Sequence, residues 1–95
     1  MEKNLASLSG QTYHFIKVQD HARRGSKIQS YAQLAWNLLE VGGIMILKDY
    51  EWSNPDSGEQ LPKRGIDAFV KSISDQCEIL HQNFQVIVKK IANRK

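Results

Sequence analysis

The residues of this chain that could do chemistry fall at two places, Asp20 with His21 and the acidic, aromatic segment at residues 49–52. Histidine can act as a general base on a hydroxyl group, because its unperturbed pKa lies near neutral pH. A loop histidine beside an aspartate is also commonly a surface hydrogen-bonding group, so both interpretations of His21 stay open. Cys77 has no basic neighbour in sequence, which favours a structural thiol over a nucleophile.

The segment that leads into residues 49–52 has the pattern of a helix, a glycine turn and a buried strand. From Ser26, a suitable N-cap, apolar residues recur at three- and four-residue spacing, which predicts an amphipathic helix of about four turns. We expect Gly42 and Gly43 to end this helix. The continuous apolar run at residues 44–47 is typical of a strand covered on both faces, as in parallel sheets flanked by helices.

Further elements flank this helix and strand. Residues 13–18 (YHFIKV) are rich in aromatic and β-branched side chains and predict a first strand, which completes a right-handed βαβ unit. Residues 53–62 are a predicted loop, and a shorter helix begins near Lys63, just after Pro62. Predicted strands at 78–81 and 84–90 are close enough to form an antiparallel hairpin. The predicted order is therefore βαβαββ.

The same patterns predict which side chains are buried. Trp36 lies at core spacing on the first helix. The other predicted core residues are Leu34, Leu38, Ile44, Ile46, Phe69, Val86 and Val88.

Length and composition indicate one globular domain over residues 1–95, with flexible ends at 1–7 and 92–95. The first fourteen residues have no apolar core of signal-peptide length and a single cysteine cannot form an internal disulfide, so we expect a cytoplasmic protein. The net charge of +3 comes from small basic clusters at residues 23–27, 63–64 and 89–95. These clusters permit nucleic-acid binding, but solvated helix and strand ends are the more common explanation, and no aromatic residues interleave with the basic ones as in base-stacking sites.

The order and spacing of these segments resemble the C-terminal half of a class I S-adenosylmethionine-dependent methyltransferase of the small-molecule O-methyltransferase type. The resemblance covers residues 8–91. It is carried by Asp20 and His21, by LAWNLLEVGG at residues 34–43, and by KDYEW at residues 48–52. The segments at 62–69 and 79–88 resemble the start of the next helix and the terminal hairpin of that family.

For the fold, the resemblance implies a truncated Rossmann-like half with a mostly parallel four-stranded sheet, helices packed on it and a reversed C-terminal hairpin. The final strand would insert antiparallel beside the strand at residues 44–48. The cofactor-binding half, with its glycine-rich turn and ribose-binding acid, would lie before residue 1. We therefore expect no cofactor on this chain alone, and S-adenosylmethionine with Mg²⁺ only when a complementary half is supplied.

For the site, the resemblance implies that Asp20 and Asp49 are the metal ligands and that Tyr50 and Trp52 line a substrate pocket. His21 is the candidate catalytic base. The position before Asp49 is acidic in the fuller family pattern and is Lys48 here, so the metal site would lose a carboxylate and gain a cation. The alternatives are that Asp49 caps the following turn and that both aromatic residues are packing residues.

The missing half also implies an open edge along the first strand, at residues 13–18. A second copy of the chain, a separately encoded N-terminal half or residues 1–10 could cover it.

Three hypotheses about function follow. The chain is a non-catalytic remnant or self-associating interaction module, or the substrate-binding subunit of a split methyltransferase, or a small basic nucleic-acid-binding domain. We expect no membrane partner, and the first hypothesis is preferred.

Overall fold

The computed structural model describes residues 13–20, 23–52 and 61–92. His21 and most of both predicted flexible ends lie outside these ranges. The described elements follow the predicted βαβαββ order: β1 (Tyr13–Val18), α1 (Gly25–Leu38), β2 (Leu39–Leu47), α2 (Pro62–Ser72), β3 (Cys77–Gln82) and β4 (Val86–Lys90).

The four strands form one mixed sheet in the order β1-β2-β4-β3. The β1–β2 pair is parallel, whereas β2–β4 and β3–β4 are antiparallel, so the predicted mostly parallel sheet is wrong. The reason is the short connection between β3 and β4, which permits only antiparallel pairing and places β4 between β2 and β3. The predicted reversed hairpin and the antiparallel insertion of the last strand beside β2 are found. Phe84 lies in the turn rather than in β4.

The chain passes from α1 into β2 without a loop. Leu38 ends the helix and Leu39 is already extended, with φ −84° and ψ 129°. The prediction that Gly42 and Gly43 end the helix is therefore wrong, since both lie inside β2. They are needed there for another reason: Gly42 has φ +93°, and a Cβ on Gly43 would lie 3.0 Å from the carbonyl oxygen of His14.

The two helices cover one face of the sheet and pack against each other. At their N-terminal ends Gly25 and Gly65 bring the two backbones into direct contact, so that a Cβ on Gly65 would overlap the carbonyl group of Gly25. Further along, the rings of Trp36 and Phe69 meet edge to face, with centroids 5.8 Å apart. None of the helices in the described ranges is long and apolar enough to cross a membrane.

The core lies between this helix layer and the covered face of the sheet. Trp36, Phe69, Val86 and Val88 are buried as predicted. The prediction is wrong for Leu34, whose side chain is 56% exposed on the outer side of α1. Leu38, Ile44 and Ile46 are only partly buried. For the two isoleucines the reason is that helices cover one face of β2, not both as the apolar run indicated.

Lys90 is a fully buried lysine of β4 that holds the junction between α1 and β2. Its Nζ donates hydrogen bonds to the carbonyl oxygens of Trp36 at 2.7 Å and Leu39 at 2.8 Å, and it lies 5.0 Å from the centroid of the Trp36 ring. A helix end leaves carbonyl groups without intrahelical partners. Because no loop follows this helix end, a cation supplied from β4 donates to the carbonyl oxygen of Trp36, which also accepts from the backbone N–H of Leu39, and to that of Leu39 at the start of β2.

Replacing Lys90 should therefore destabilise the fold strongly. We expect Lys90→Met to lower the free energy of unfolding by about 2 kcal/mol, because it removes the buried donor of two hydrogen bonds to backbone carbonyl oxygens while keeping the side-chain volume. Urea denaturation followed by circular dichroism measures the change. The matched control is Lys89→Met, one residue earlier and on the other face of β4, which should change stability by less than about 0.5 kcal/mol. Equal effects of the two substitutions would contradict this role for Lys90.

Candidate functional site

Asp20 and Asp49 follow the carboxyl ends of the two parallel strands, β1 and β2. Parallel pairing brings these ends to the same edge of the sheet, which is where open α/β folds place ligands. Both aspartates are buried, with 5% and 8% of their surface exposed. Buried carboxylates need charged or hydrogen-bonding partners, and here both partners are arginines from the turn before α1.

Asp20 is bound by Arg24 through three hydrogen bonds. The guanidinium group donates from Nε to Oδ2 at 3.0 Å and from an Nη to Oδ1 at 3.1 Å, while the backbone N–H of Arg24 donates to Oδ2 at 2.8 Å. This is the bidentate geometry that arginine forms with a carboxylate. The hydrogen bonds to Asp20 raise the pKa of Arg24 above its usual value, although part of the arginine is exposed. Asp20 thereby holds the residue that precedes α1.

Asp49 is paired more loosely with Arg23. The Nε of Arg23 lies 3.6 Å from Oδ2 of Asp49, and the guanidinium carbon lies 5.0 Å from the centroid of the Trp52 ring. Arg23 and Asp49 both have positive φ angles, of 55° and 62°. Non-glycine residues adopt this conformation at a cost, which the surrounding contacts must offset. Arg23 therefore lies between a carboxylate and an aromatic face at the same end of the sheet.

The four residues Asp20, Arg23, Arg24 and Asp49, here called the Asp–Arg cluster, carry two negative and two positive charges. Their formal charges cancel. Lys48, which precedes Asp49, does not join them, since its Nζ donates to Oε1 of Gln85 at 3.1 Å. The cations beside the predicted metal ligands are thus two arginines from the β1–α1 turn.

This arrangement does not fit a magnesium ion. Mg²⁺ is bound through carboxylate oxygens, and the oxygens of Asp20 are already used by Arg24. Within the described ranges, no group of three or more histidine, cysteine, aspartate or glutamate residues could hold a metal. What the Asp–Arg cluster can do is fix the β1–α1 turn against the end of β2.

Tyr50 is buried just after the end of β2, and its hydrogen bonds connect this edge of the sheet to α2 and β3. Its hydroxyl group donates to Oδ1 of Asp67 at 2.6 Å and accepts from Nε2 of Gln82 at 3.1 Å. Lys63 lies over its ring, with Nζ 5.4 Å from the centroid. Burial and the hydrogen bond to Asp67 raise the pKa of Tyr50 to about 12. A tyrosine held in this way remains protonated near neutral pH.

The two predicted pocket residues, Tyr50 and Trp52, contact different parts of the structure. Tyr50 contacts side chains of α2 and β3, whereas Trp52 is half-buried and lies against Arg23. His21 lies outside the described residues.

Cys77 begins β3 and is half-buried, and burial, together with the nearby Asp75, raises the pKa of its thiol. A raised pKa disfavours the thiolate form, which is the nucleophile.

Sequence reasoning missed the partners at this edge. The sequence places Arg23 and Arg24 in a small basic cluster, whereas Arg24 stands only four residues after Asp20, near enough for the turn before α1 to bring the two side chains together. No comparable signal joins Arg23 to Asp49, or Tyr50 to Asp67 and Gln82. Those pairs are distant in sequence and meet only through the sheet.

Comparison with known proteins supports the fold and not an activity. No protein-family model matches the sequence, and the search of curated proteins found no match. Among solved structures, the fold is similar to a protein from Corynebacterium glutamicum, with a TM-score of 0.68 and 16% sequence identity. The match covers 97% of this chain and 45% of that chain, so this chain spans less than half the length of its structural neighbour. The likeness establishes a shared small α/β fold, broadly Rossmann-like, with a mixed sheet.

The Tyr50 hydrogen bonds should make stability fall at alkaline pH. The pKa of Tyr50 is about 12 in the folded chain against 10.0 for a free tyrosine, so its stabilising contribution is complete below pH 10.0 and is lost as the pH rises through 12. At neutral pH we expect Tyr50→Phe to be less stable by about 1 kcal/mol. The difference between the two proteins should shrink between pH 10.0 and 12, as measured by urea denaturation. A difference that stays constant over that range would refute the proposed tyrosine contacts.

Proposed function

We propose that this chain is a non-catalytic α/β half-domain, similar to the substrate-side half of an S-adenosylmethionine-dependent methyltransferase, that acts by associating through strand β1. The observation that carries the non-catalytic part is the Asp–Arg cluster. In a metal-dependent methyltransferase the carboxylates at this edge would bind the metal. Here Arg24 binds Asp20 in bidentate geometry and Arg23 faces Asp49, so the positions inherited from the family serve to hold the fold.

The associating part of the proposal rests on β1. Within the described sheet β1 is an edge strand that pairs only with β2, and edge strands are the usual sites of pairing with another chain. Both edge strands have an irregular register, between Tyr13 and Phe15 on β1 and between Ile79 and His81 on β3. Large apolar side chains are exposed on both edges, Phe15 on β1 at 56% and Ile79 and Leu80 on β3 at 47% and 49%. The proposal selects β1 because this is the edge at which the missing half of the resembled family would pair.

A second copy of the chain is the simplest partner for this edge. Two β1 strands can pair antiparallel across a two-fold axis, which would produce a continuous eight-stranded sheet. Such pairing would join the edge strands of both copies in one ladder. It also needs no second gene product.

The second candidate is the substrate-binding subunit of a split methyltransferase. It is favoured by one observation, that the fold covers only 45% of its structural neighbour, so that a separately encoded half could supply the remainder. In that case the partner would bring the cofactor site, and β1 would pair with one of its strands. Nucleic-acid binding has less support, because Arg23, Arg24 and Lys90 are engaged with carboxylates or carbonyl groups.

The non-catalytic proposal predicts that the purified chain binds neither cofactor. Isothermal titration calorimetry with S-adenosylmethionine, and separately with MgCl₂, should give no heat beyond dilution. The physical reason for magnesium is that the ion would have to displace an arginine from a buried carboxylate. The matched comparison for the MgCl₂ titration is a double variant, Arg23→Met with Arg24→Met, which lacks both arginines of the Asp–Arg cluster. Micromolar binding of S-adenosylmethionine by the wild type would overturn the proposal.

The edge-pairing proposal predicts a concentration-dependent dimer. Sedimentation velocity over a hundredfold concentration range should show a monomer–dimer equilibrium for the wild type. Phe15→Lys should shift it to monomer, because a lysine on an edge strand disfavours pairing with another strand. Leu34→Lys is the control, since Leu34 is equally exposed, at 56%, but lies on α1. A wild type that remains monomeric at every concentration would rule out self-pairing.

A further inference from the structure

The second face of the sheet has an apolar centre, and the described part of the chain places no helix on it. On β2 the burial alternates: Met45 and Leu47 point to the helices and are buried, whereas Ile44 and Ile46 point the other way and are only partly buried. A parallel strand pair is normally covered on both faces. We call this second face, with Ile44 and Ile46 at its centre, the open face.

Strand register arranges the open face into two rows that cross all four strands. Residues directly opposite each other in neighbouring strands point to the same face. The first row is therefore Phe15, Ile44, Lys89 and Glu78, and the second is Lys17, Ile46, Ile87 and His81. Four apolar side chains form a continuous patch, with a lysine at one end of the second row and another inside the first.

The charges of the open face are predominantly positive. Lys17 and Lys89 both point to it, and Glu78 is opposite Lys89 across the β3–β4 ladder. Among the described residues no ion pair joins either lysine to a carboxylate. A second copy stacked on this face would place two faces of the same net positive charge against each other, at the sheet-packing distance of about 10 Å. Charge therefore disfavours self-stacking and favours an acidic partner.

The dimensions of the open face suit a single helix. Four strands spaced at about 4.8 Å give a width of about 15 Å, and two rows of alternate residues lie about 7 Å apart along the strands. A helix of about ten residues is about 15 Å long, which matches the width of the four strands. Its apolar stripe can cover both rows. A helix laid on a sheet is also one of the few stable ways in which layers pack.

We propose that the open face binds an amphipathic helix of a partner protein, with an apolar stripe that is flanked by aspartate or glutamate residues. The stripe packs on Phe15, Ile44, Ile46 and Ile87, and the acidic flanks pair with Lys17 and Lys89. This contact uses the face of the sheet, whereas the proposed dimer uses the edge of β1. It holds whether or not β1 pairs with a second copy.

A designed peptide pair tests the proposal on the full chain. The probe is a fluorescein-labelled helical peptide with leucines at helical spacing and glutamates on both sides of the stripe. The matched peptide has lysines in place of the glutamates. Fluorescence anisotropy should show that the acidic peptide binds, and that its binding weakens as salt is added. The lysine peptide should bind at least tenfold more weakly. No binding of the acidic peptide, or equal binding of the two, would overturn the proposal.

Variants locate the binding surface. Ile46→Lys should weaken binding of the acidic peptide at least tenfold, whereas Leu34→Lys on α1 should leave it unchanged. Because Ile46 lies on an interior strand, this change leaves the β1 edge intact. If Ile46→Lys does not fold, the double variant Lys17→Glu and Lys89→Glu replaces it, and we expect it to prefer the lysine peptide. Unchanged peptide preference in that double variant would count against the open face.

A labelling experiment distinguishes the partner helix from two other possible occupants of the open face, a second copy of the chain and a membrane surface. An Ile46→Cys substitution in a Cys77→Ser background should react quickly with a maleimide, and the acidic peptide should slow the reaction. Protection that grows with the concentration of the chain alone would assign the face to a second copy. Protection by vesicles of anionic phospholipid, but not by the peptide, would assign it to a membrane surface. Either result would overturn the helix proposal.

Discussion

The fold depends on which groups donate hydrogen bonds to the backbone carbonyl groups where α1 ends. Because α1 runs directly into β2, no loop binds its last carbonyl groups, and Lys90 reaches from β4 to donate to the carbonyl oxygens of Trp36 in α1 and of Leu39, the first residue of β2. This contact links the last strand of the chain to the crossover between the first two. It also explains why a lysine can be fully buried: its ammonium group has carbonyl oxygens and an aromatic face as partners.

The opposite end of the sheet is held by a different set of charges. Parallel pairing of β1 and β2 brings two aspartates to one edge, a position where α/β folds commonly bind ligands. In this chain the Asp–Arg cluster uses both carboxylates to fix the turn before α1, and Tyr50 fastens the same edge to α2 and β3. Groups suited to catalysis by type and position thus contribute to structure. That is the physical basis for the proposal that the chain is a non-catalytic interaction module.

Much of the fold could be predicted from the sequence, because local patterns determine it. The order of the elements, the C-terminal hairpin and the burial of Trp36 follow from periodicity and short connections. The errors occurred where a local signal had a non-local cause. Gly42 and Gly43 indicated a helix end but serve the irregular start of β2 against β1. Ile44 and Ile46 indicated a strand covered on both faces, although the described helices cover one.

By itself, then, the sequence determined the elements and their order, as well as the residue types at the candidate site. Only the tertiary structure decided what those residues do. The contacts of Arg23 with Asp49, of Tyr50 with Asp67 and Gln82, and of Lys90 with the end of α1 join positions far apart in the chain. Charge pairing and hydrogen bonding act over a few ångströms in space, and sequence spacing does not encode such proximity beyond a helical turn.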